Sequence, residues 1–542
     1  MLSFLKNYKN YLNKVFFIIF LLVGINVFND YGISIDEDNT RINGLVGLKY
    51  ILSFFSLHTG DFFQNIPNIK DYNEKGIGYI FDLPAALIEY FFNLEDSRNY
   101  YLARHFLNFS FFYIGIFYFF LILKNRFKSE FLPILGCLFL VLSPRIFAES
   151  FYNNKDIIFL SLFIIATYYS ILFLDNPSHK NSLLFAFTIS LAIGVRVTGI
   201  LLPLIFIFIY FIKVLRSENN KITLLKPLFS FLIFLPILMI IFYPFLWESP
   251  IENLFFIIKS LSNFKVYDHY NFYLGEFIKA NYIPWNYTLV WIISSTPIFY
   301  TILFFVGFIL MCQRLMLRLL NIEDKKVNND LWRGNNEMKD LLFFLLFFLP
   351  IFATIILNST LYNGWRHMYF IYPYFLIIAI YGLNRIQIRF FKRKKNLSII
   401  FSILLILPTL NWMIKNHPHQ YSYFNFFLKK DFDKKFEVDY WGLSNYQALL
   451  YLSKKVENKV KVSRVSDTDL QLSRLFLPKK YRERILIVGD VNDSDFIIDN
   501  KIHWNGVLSK KEKILKKNFT KFYEVKVDNI SINTIYKNLN DK

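Results

Sequence analysis

The chain has 542 residues, 54% hydrophobic and 20% aromatic with 65 Phe, and a formal net charge of +20. That composition excludes an ordinary soluble domain, which has too few buried positions for so many large apolar side chains. It predicts an α-helical polytopic membrane protein. Apolar runs approaching the ~20 residues that cross ~30 Å of hydrocarbon fall at 8–28, 101–123, 131–148, 157–174, 183–195, 199–212, 224–246, 289–313, 340–358, 367–384 and 397–414. About 11 transmembrane helices are therefore expected, and the pair flanking Arg196 is readable as one long helix or as two short ones meeting at a break.

The first run follows Lys6, Lys9 and Lys14, and the "INVFNDYG" behind it offers no small-residue cleavage site, so an uncleaved anchor is expected. Cys137 and Cys312 both fall inside predicted spans, which speaks against a disulfide framework. Loops 1–14, 124–130, 175–181, 213–226, 314–339 and 385–395 hold 23 Lys and Arg against 7 Asp and Glu, and are expected in the cytoplasm. Residues 29–100 carry 5 basic and 11 acidic residues and are expected on the opposite side. The positive charge is shared among separate loops, so it reads as a topology signal and not as a nucleic-acid footprint.

Two segments on the far side are unusually long for connectors. In 29–100, "GYIFDLPAALIEYFFNL" suits a helix lying in the membrane interface. In 247–288, Trp247, Trp285, Tyr267, Tyr270, Tyr273, Tyr282 and Tyr287 suit either an aromatic belt at headgroup depth or a wall over a site for a lipid-linked ligand. Hydropathy falls away after Trp412. The expected organisation is a membrane core over 1–414, a linker over 415–437 and a small C-terminal extracytoplasmic α/β domain over 438–542. Strands of that domain are expected at "VKVSRV", "RILIVGD", "DFIID" and "FYEVKV" around a helical "NYQALLYLSKKVEN". It shows no phosphate-binding glycine loop, no zinc-spaced Cys/His cluster and no GxSxG elbow.

Five stretches, in order along nearly the whole chain, carry a family resemblance: "GISIDEDNTRINGL", "LSPRIFAESFYNNKDIIF", "GVRVTGILLP", "NGWRHMYFIYPYF" and "HPHQYSYFNFF" with "FEVDYWGLSNYQAL". The chain resembles the glycosyltransferase C (GT-C) superfamily, in the branch of bacterial protein O-mannosyltransferase-like and aminoarabinose-transferase-like membrane glycosyltransferases. The resemblance implies a GT-C type membrane core in the cytoplasmic (inner) membrane, an extracytoplasmic active site and a polyprenyl-phosphate sugar donor. The acceptor, a glycan, a lipid or a protein, is left open, and the tail lacks the carbohydrate-binding repeats of the eukaryotic O-mannosyltransferases.

Inverting transfer from a lipid-phosphate sugar needs a carboxylate to take the acceptor proton and positive charge to meet the leaving phosphate. By match to the family's acidic first-loop motif, Asp36 is expected as general base and Glu37 as the second candidate, with Asp38 beside them. Arg196, Arg366, His367 and Lys155 are the expected phosphate-binding residues. Arg104, His105 and Arg145, at predicted helix ends, are weaker candidates. Some relatives share a divalent cation between acids of the first and second outer loops, which implies Asp36 with Asp156 as ligands to Mg²⁺ or Mn²⁺. A transporter or flippase of lipid-linked sugar or a small solute is the alternative from another class; the gathering of polar residues at one face and the soluble tail favour the transferase.

Overall fold

The computed structural model describes residues 2–57, 60–74, 78–217, 221–262, 269–320, 331–391, 394–428, 430–503, 515 and 518–539. Among these, eight helices are long and apolar enough to cross a membrane: Ser97–Arg126, Asp156–Asp175, Val197–Leu215, Lys221–Ile241, Ile298–Leu320, Gly334–Ile356, Arg366–Phe390 and Asn396–Lys415. A further apolar segment is broken, Phe131–Val141 and Pro144–Tyr152 meeting at 68°. The break follows from Pro144, which lacks an N–H and holds Ser143 in extended geometry (φ −85°, ψ 104°). Tyr11–Val27 and His179–Val195 are shorter apolar helices.

The apolar runs thus all become helices, but not all as simple spans. The run at 289–313 is divided before Pro297 into Tyr287–Ser295 and Ile298–Leu320. Near Arg196 the two-helix reading holds: His179–Val195 ends, Arg196 is extended (φ −143°, ψ 126°), and a 3-10 turn over Val197–Ile200 starts the next helix. The helix Tyr372–Phe390, which carries the "WRHMYF" turn at its start, is clasped by Ile298–Leu320 at Gly307 and Gly382. A Cβ on Gly307 would stand 2.0 Å from the Ile378 carbonyl oxygen, so this approach needs glycine.

The helix Glu37–Phe54 follows the first helix directly and packs on Asp82–Phe91, the expected interfacial helix. In 247–288 the aromatics divide. Tyr273 and Tyr287 are buried against each other, Tyr273 also against Phe436, whereas Tyr282 and Trp285 are exposed; Tyr267 lies outside the described residues. Strands β1 (Tyr270–Tyr273) and β2 (Glu276–Lys279) form an antiparallel hairpin here, turned by Leu274 and Gly275 at positive φ.

The C-terminal sheet has the order β4-β3-β5-β7-β6. Its strands are β3 (Val460–Arg464), β4 (Ile485–Ile487), β5 (Phe496–Asp499), β6 (Phe519–Val527) and β7 (Ile530–Asn538). β3 runs parallel to both neighbours, Val462 lying opposite Ile487 and Phe496, and β7 is antiparallel to β5 and β6. The helix Ser444–Lys455 packs on β6 and β7. Residues 415–437, expected as a linker, are packed: Tyr421, Phe424, Phe432 and Phe436 share one apolar core with the membrane helices and with Ile502, Val525, Val527 and Ile532 of the sheet region.

Candidate active site

Three separate turns deliver charge to one place. Ile35 N–H donates to the Trp441 carbonyl at 3.2 Å, which ties the acidic loop to the segment before the C-terminal helix and sets Asp36 at the start of Glu37–Phe54. Asp156 begins its helix, its N–H bonded to Asn153 Oδ1 at 2.9 Å. Arg366 follows the turn at Asn363 and Gly364, both at positive φ (54° and 71°), which folds Trp365 and Arg366 inward.

The result is an alternating row of acids and cations. Arg366 Nη1 donates to Asp36 Oδ2 at 3.1 Å and lies 3.6 Å from Asp156 Oδ2. Asp156 Oδ1 accepts from Arg196 Nη2. The Asp156 and Arg366 side chains are buried, 1% and 4% exposed, while Asp36 is 32% and Arg196 25% exposed. The buried middle of the row is thereby neutralised, and its two ends reach solvent. The Arg366 guanidinium carbon also stands 4.5 Å from the Trp441 ring centre and 4.9 Å from that of Tyr362, contacts that favour a planar cation. Burial pushes the Tyr362 phenol up, so it stays neutral beside Arg366.

The other expected residues separate from this row in different ways. Lys155, half-buried, precedes Asp156, and its ammonium makes no ion pair among the described residues. His367 packs edge-on against Tyr362 at 4.5 Å between ring centres. Glu37 points away from Asp36: its side chain is 1% exposed, accepts the Ser34 N–H at 2.7 Å and faces His105 Nε2 at 3.0 Å. Asp38 accepts from Tyr101 at 2.9 Å. Arg104 is committed to Asp82 at 2.7 Å and Thr40 at 3.1 Å, and burial pushes the Asp82 carboxyl up against the pull of that guanidinium.

Sequence reasoning missed a second buried network behind the row. Glu149 accepts from Tyr369 at 2.6 Å, Tyr440 at 3.0 Å and Asn153 at 2.7 Å, and Asn153 also donates to Asp156 Oδ2 at 3.0 Å. Arg145 sits close by with its Nε and Nη1 unpartnered among the described residues and the rings of Trp291 and Phe424 each 5.4 Å away. All but Trp291 lie in the stretches that carry the family resemblance, but polar residues in aromatic-rich blocks give no sign of which ones fold inward.

Residues 84–241 match the family model described as dolichyl-phosphate-mannose-protein mannosyltransferase. The matched segment contains Arg104, Glu149, Lys155, Asp156 and Arg196, whereas Asp36 and Arg366 lie outside it. No curated protein matches the sequence. Among solved structures, ArnT from Cupriavidus metallidurans bound to undecaprenyl phosphate is similar at 10% identity and TM-score 0.48, over 97% of this chain and 98% of that one. The Archaeoglobus fulgidus oligosaccharyltransferase in complex with Zn and sulfate is similar at 11% identity and TM-score 0.46, over 90% of this chain and 68% of that one. Archaeal oligosaccharyltransferase AglB from Archaeoglobus fulgidus, in complex with an inhibitory peptide and a dolichol-phosphate, gives 11% and 0.45, over 98% and 75%.

The donor set around this row does not fit the divalent cation expected between Asp36 and Asp156. The place between these carboxylates is taken by Arg366 Nη1, and Arg196 holds the remaining Asp156 oxygen. Among the described residues, no group of three or more His, Cys, Asp and Glu side chains is arranged to hold a metal ion.

Proposed function

We propose that the protein transfers a sugar, a hexose or pentose, from a polyprenyl-phosphate donor to an acceptor hydroxyl. Transfer takes place at the membrane face that carries the C-terminal domain, which the distribution of Lys and Arg puts outside the cytoplasm of a cytoplasmic-membrane protein. The observation that carries the reading is the position of Asp36, the carboxylate of the row that is open to solvent and held beside a buried guanidinium. The family match, whose description names a lipid-phosphate sugar, supports the same class of reaction.

In this reading the acceptor O–H gives its proton to Asp36 while its oxygen forms a bond to the anomeric carbon. The bond from that carbon to the phosphate oxygen breaks, and polyprenyl phosphate leaves with the electron pair. Arg366 holds and orients Asp36 through its Nη1 hydrogen bond. Arg196, at the exposed end, and Lys155 meet the charge that develops on the phosphate, with His367 beside them. Guanidinium and ammonium groups supply the positive charge, and no step runs through a metal. Glu37, enclosed with His105, positions the loop through the Ser34 N–H.

The test is to incubate the purified protein in lipid with a panel of polyprenyl-phosphate sugars and follow donor and product by mass spectrometry. Consumption of one donor with release of polyprenyl phosphate is expected. Consumption of none, together with measured flux of a solute or lipid-linked sugar across vesicles containing the protein, would replace the transferase with a transporter.

A further inference from the structure

A cleft of about 460 Å³ opens between the β1–β2 hairpin, residues 433–438 and the C-terminal sheet region. The rings of Phe272, Phe277 and Phe436 line it together with the carboxyls of Glu437 and Asp499. Glu437 is locked in place by a reciprocal pair of bonds: its Oε1 accepts the Phe272 N–H at 3.1 Å and its own N–H donates to the Phe272 carbonyl at 3.2 Å. Its other oxygen, Oε2, is buried and has no hydrogen-bond partner among the described residues. A buried polar atom without a partner is costly to a fold, and this one belongs to a residue that lines the cleft. Lys501, also in the lining, is paired with Asp433 at 3.3 Å, so the cleft offers carboxyls and apolar rings in place of an anion site.

We propose that this cleft binds a saccharide unit of the acceptor, with Phe272, Phe277 and Phe436 packing on the C–H faces of the sugar ring and Glu437 Oε2 bonded to one of its hydroxyls. This rests on the transferase reading above and names the acceptor side of the same reaction. The volume falls within the ~300–1,000 Å³ of small-molecule sites, and a compact, partly apolar chamber suits a sugar ring better than an extended peptide. Burial pushes the Glu437 carboxyl up to about 8, so near neutral pH it carries a proton and Oε2 can donate to a sugar oxygen. Glu437 lies three residues before Tyr440, which donates to Glu149, and four before Trp441, whose ring covers Arg366.

The test uses the full-length protein in lipid nanodiscs and saturation-transfer NMR with cellobiose, lactose, chitobiose and maltose, and with a seryl tripeptide as the competing class. At least one disaccharide is expected to bind, with its Kd raised at least tenfold by Glu437→Ala and by Phe277→Ala; the partly exposed Phe277 guards against misreading a folding defect. Binding of no disaccharide, binding that both variants leave unchanged, or saturation transfer to the tripeptide alone would overturn the proposal. Donor consumption is read on the same wild-type preparation with each disaccharide and the tripeptide present in turn. Consumption without saccharide binding removes the cleft inference alone; saccharide binding without consumption removes the transferase reading and with it the acceptor role.

Discussion

Replacing Arg366 with Ala strips the row of its central cation and leaves two carboxylates facing each other. Asp156, 1% exposed, would keep Arg196 and Asn153 as partners, while Asp36 would lose its only ion-pair partner among the described residues. Removing one member of a buried ion pair costs about 3–5 kcal/mol, and the flat contacts with Trp441 and Tyr362 are lost as well. Arg366→Ala is therefore expected to lower stability by about that amount, read by tryptophan-detected unfolding in detergent, and to abolish donor consumption. Arg366→Lys keeps the charge but not the planar fork, so it is expected to lose about 0.5–2 kcal/mol. The decisive comparison is a double-mutant cycle with Asp156→Asn: neutralising the stranded acid should recover at least about 1 kcal/mol of the loss. Strictly additive effects would show that Arg366 and Asp156 are not coupled and would refute the neutralised-row account.

Arg196→Ala is expected to weaken donor use by about 2–4 kcal/mol with every lipid-phosphate sugar tried, seen as a rise in donor Kd once folding is confirmed; unchanged donor affinity would make Arg196 a purely structural partner of Asp156. The Glu437 carboxyl, lifted to about 8 by burial, holds its proton more tightly folded than unfolded, so it costs nothing below about pH 4 and reduces stability as pH rises through 8. Glu437→Gln removes that titration and should flatten the fall in stability between pH 5 and 9, measured by unfolding across that range; an unchanged slope would remove Glu437 as its source. Topology is tested by impermeant maleimide labelling of single cysteines in a background without Cys137 and Cys312: exposed Ser56→Cys is expected to react in cells stripped of their outer barrier, and exposed Ser129→Cys only after lysis. The reverse pattern would turn the acids toward the cytoplasm. Ser34, inside the acidic stretch, is 1% exposed and too enclosed to serve as the probe.

The membrane core was legible because hydropathy reports burial in lipid residue by residue, and each apolar run became a helix. The breaks at Pro144 and Arg196 were less legible, since periodicity says nothing of where backbone turns inside protein. Arg196, Arg366, Asp36 and Asp156 stood out as charges near apolar runs, and the structure gathers all four. Their mutual pairing was not visible, because a sequence shows that a charge is buried but not which opposite charge lies against it. Glu149 and Glu437 went unnoticed for the converse reason: each sits in an aromatic-rich stretch among several polar residues, and only the fold shows which of these point inward. In the tail, β7 escaped because Asn533 and Thr534 interrupt its alternation, and the packing of 415–437 escaped because aromatic residues read alike in a belt and in a core.

The central claim is that Asp36 takes the acceptor proton. Asp36→Asn keeps the shape of the side chain and removes its basicity, and donor turnover by the purified variant in lipid tests the claim most directly. The account predicts a fall of at least ~100-fold with donor affinity and folding retained. Turnover close to wild type with the same donor would contradict it and remove Asp36 from the reaction.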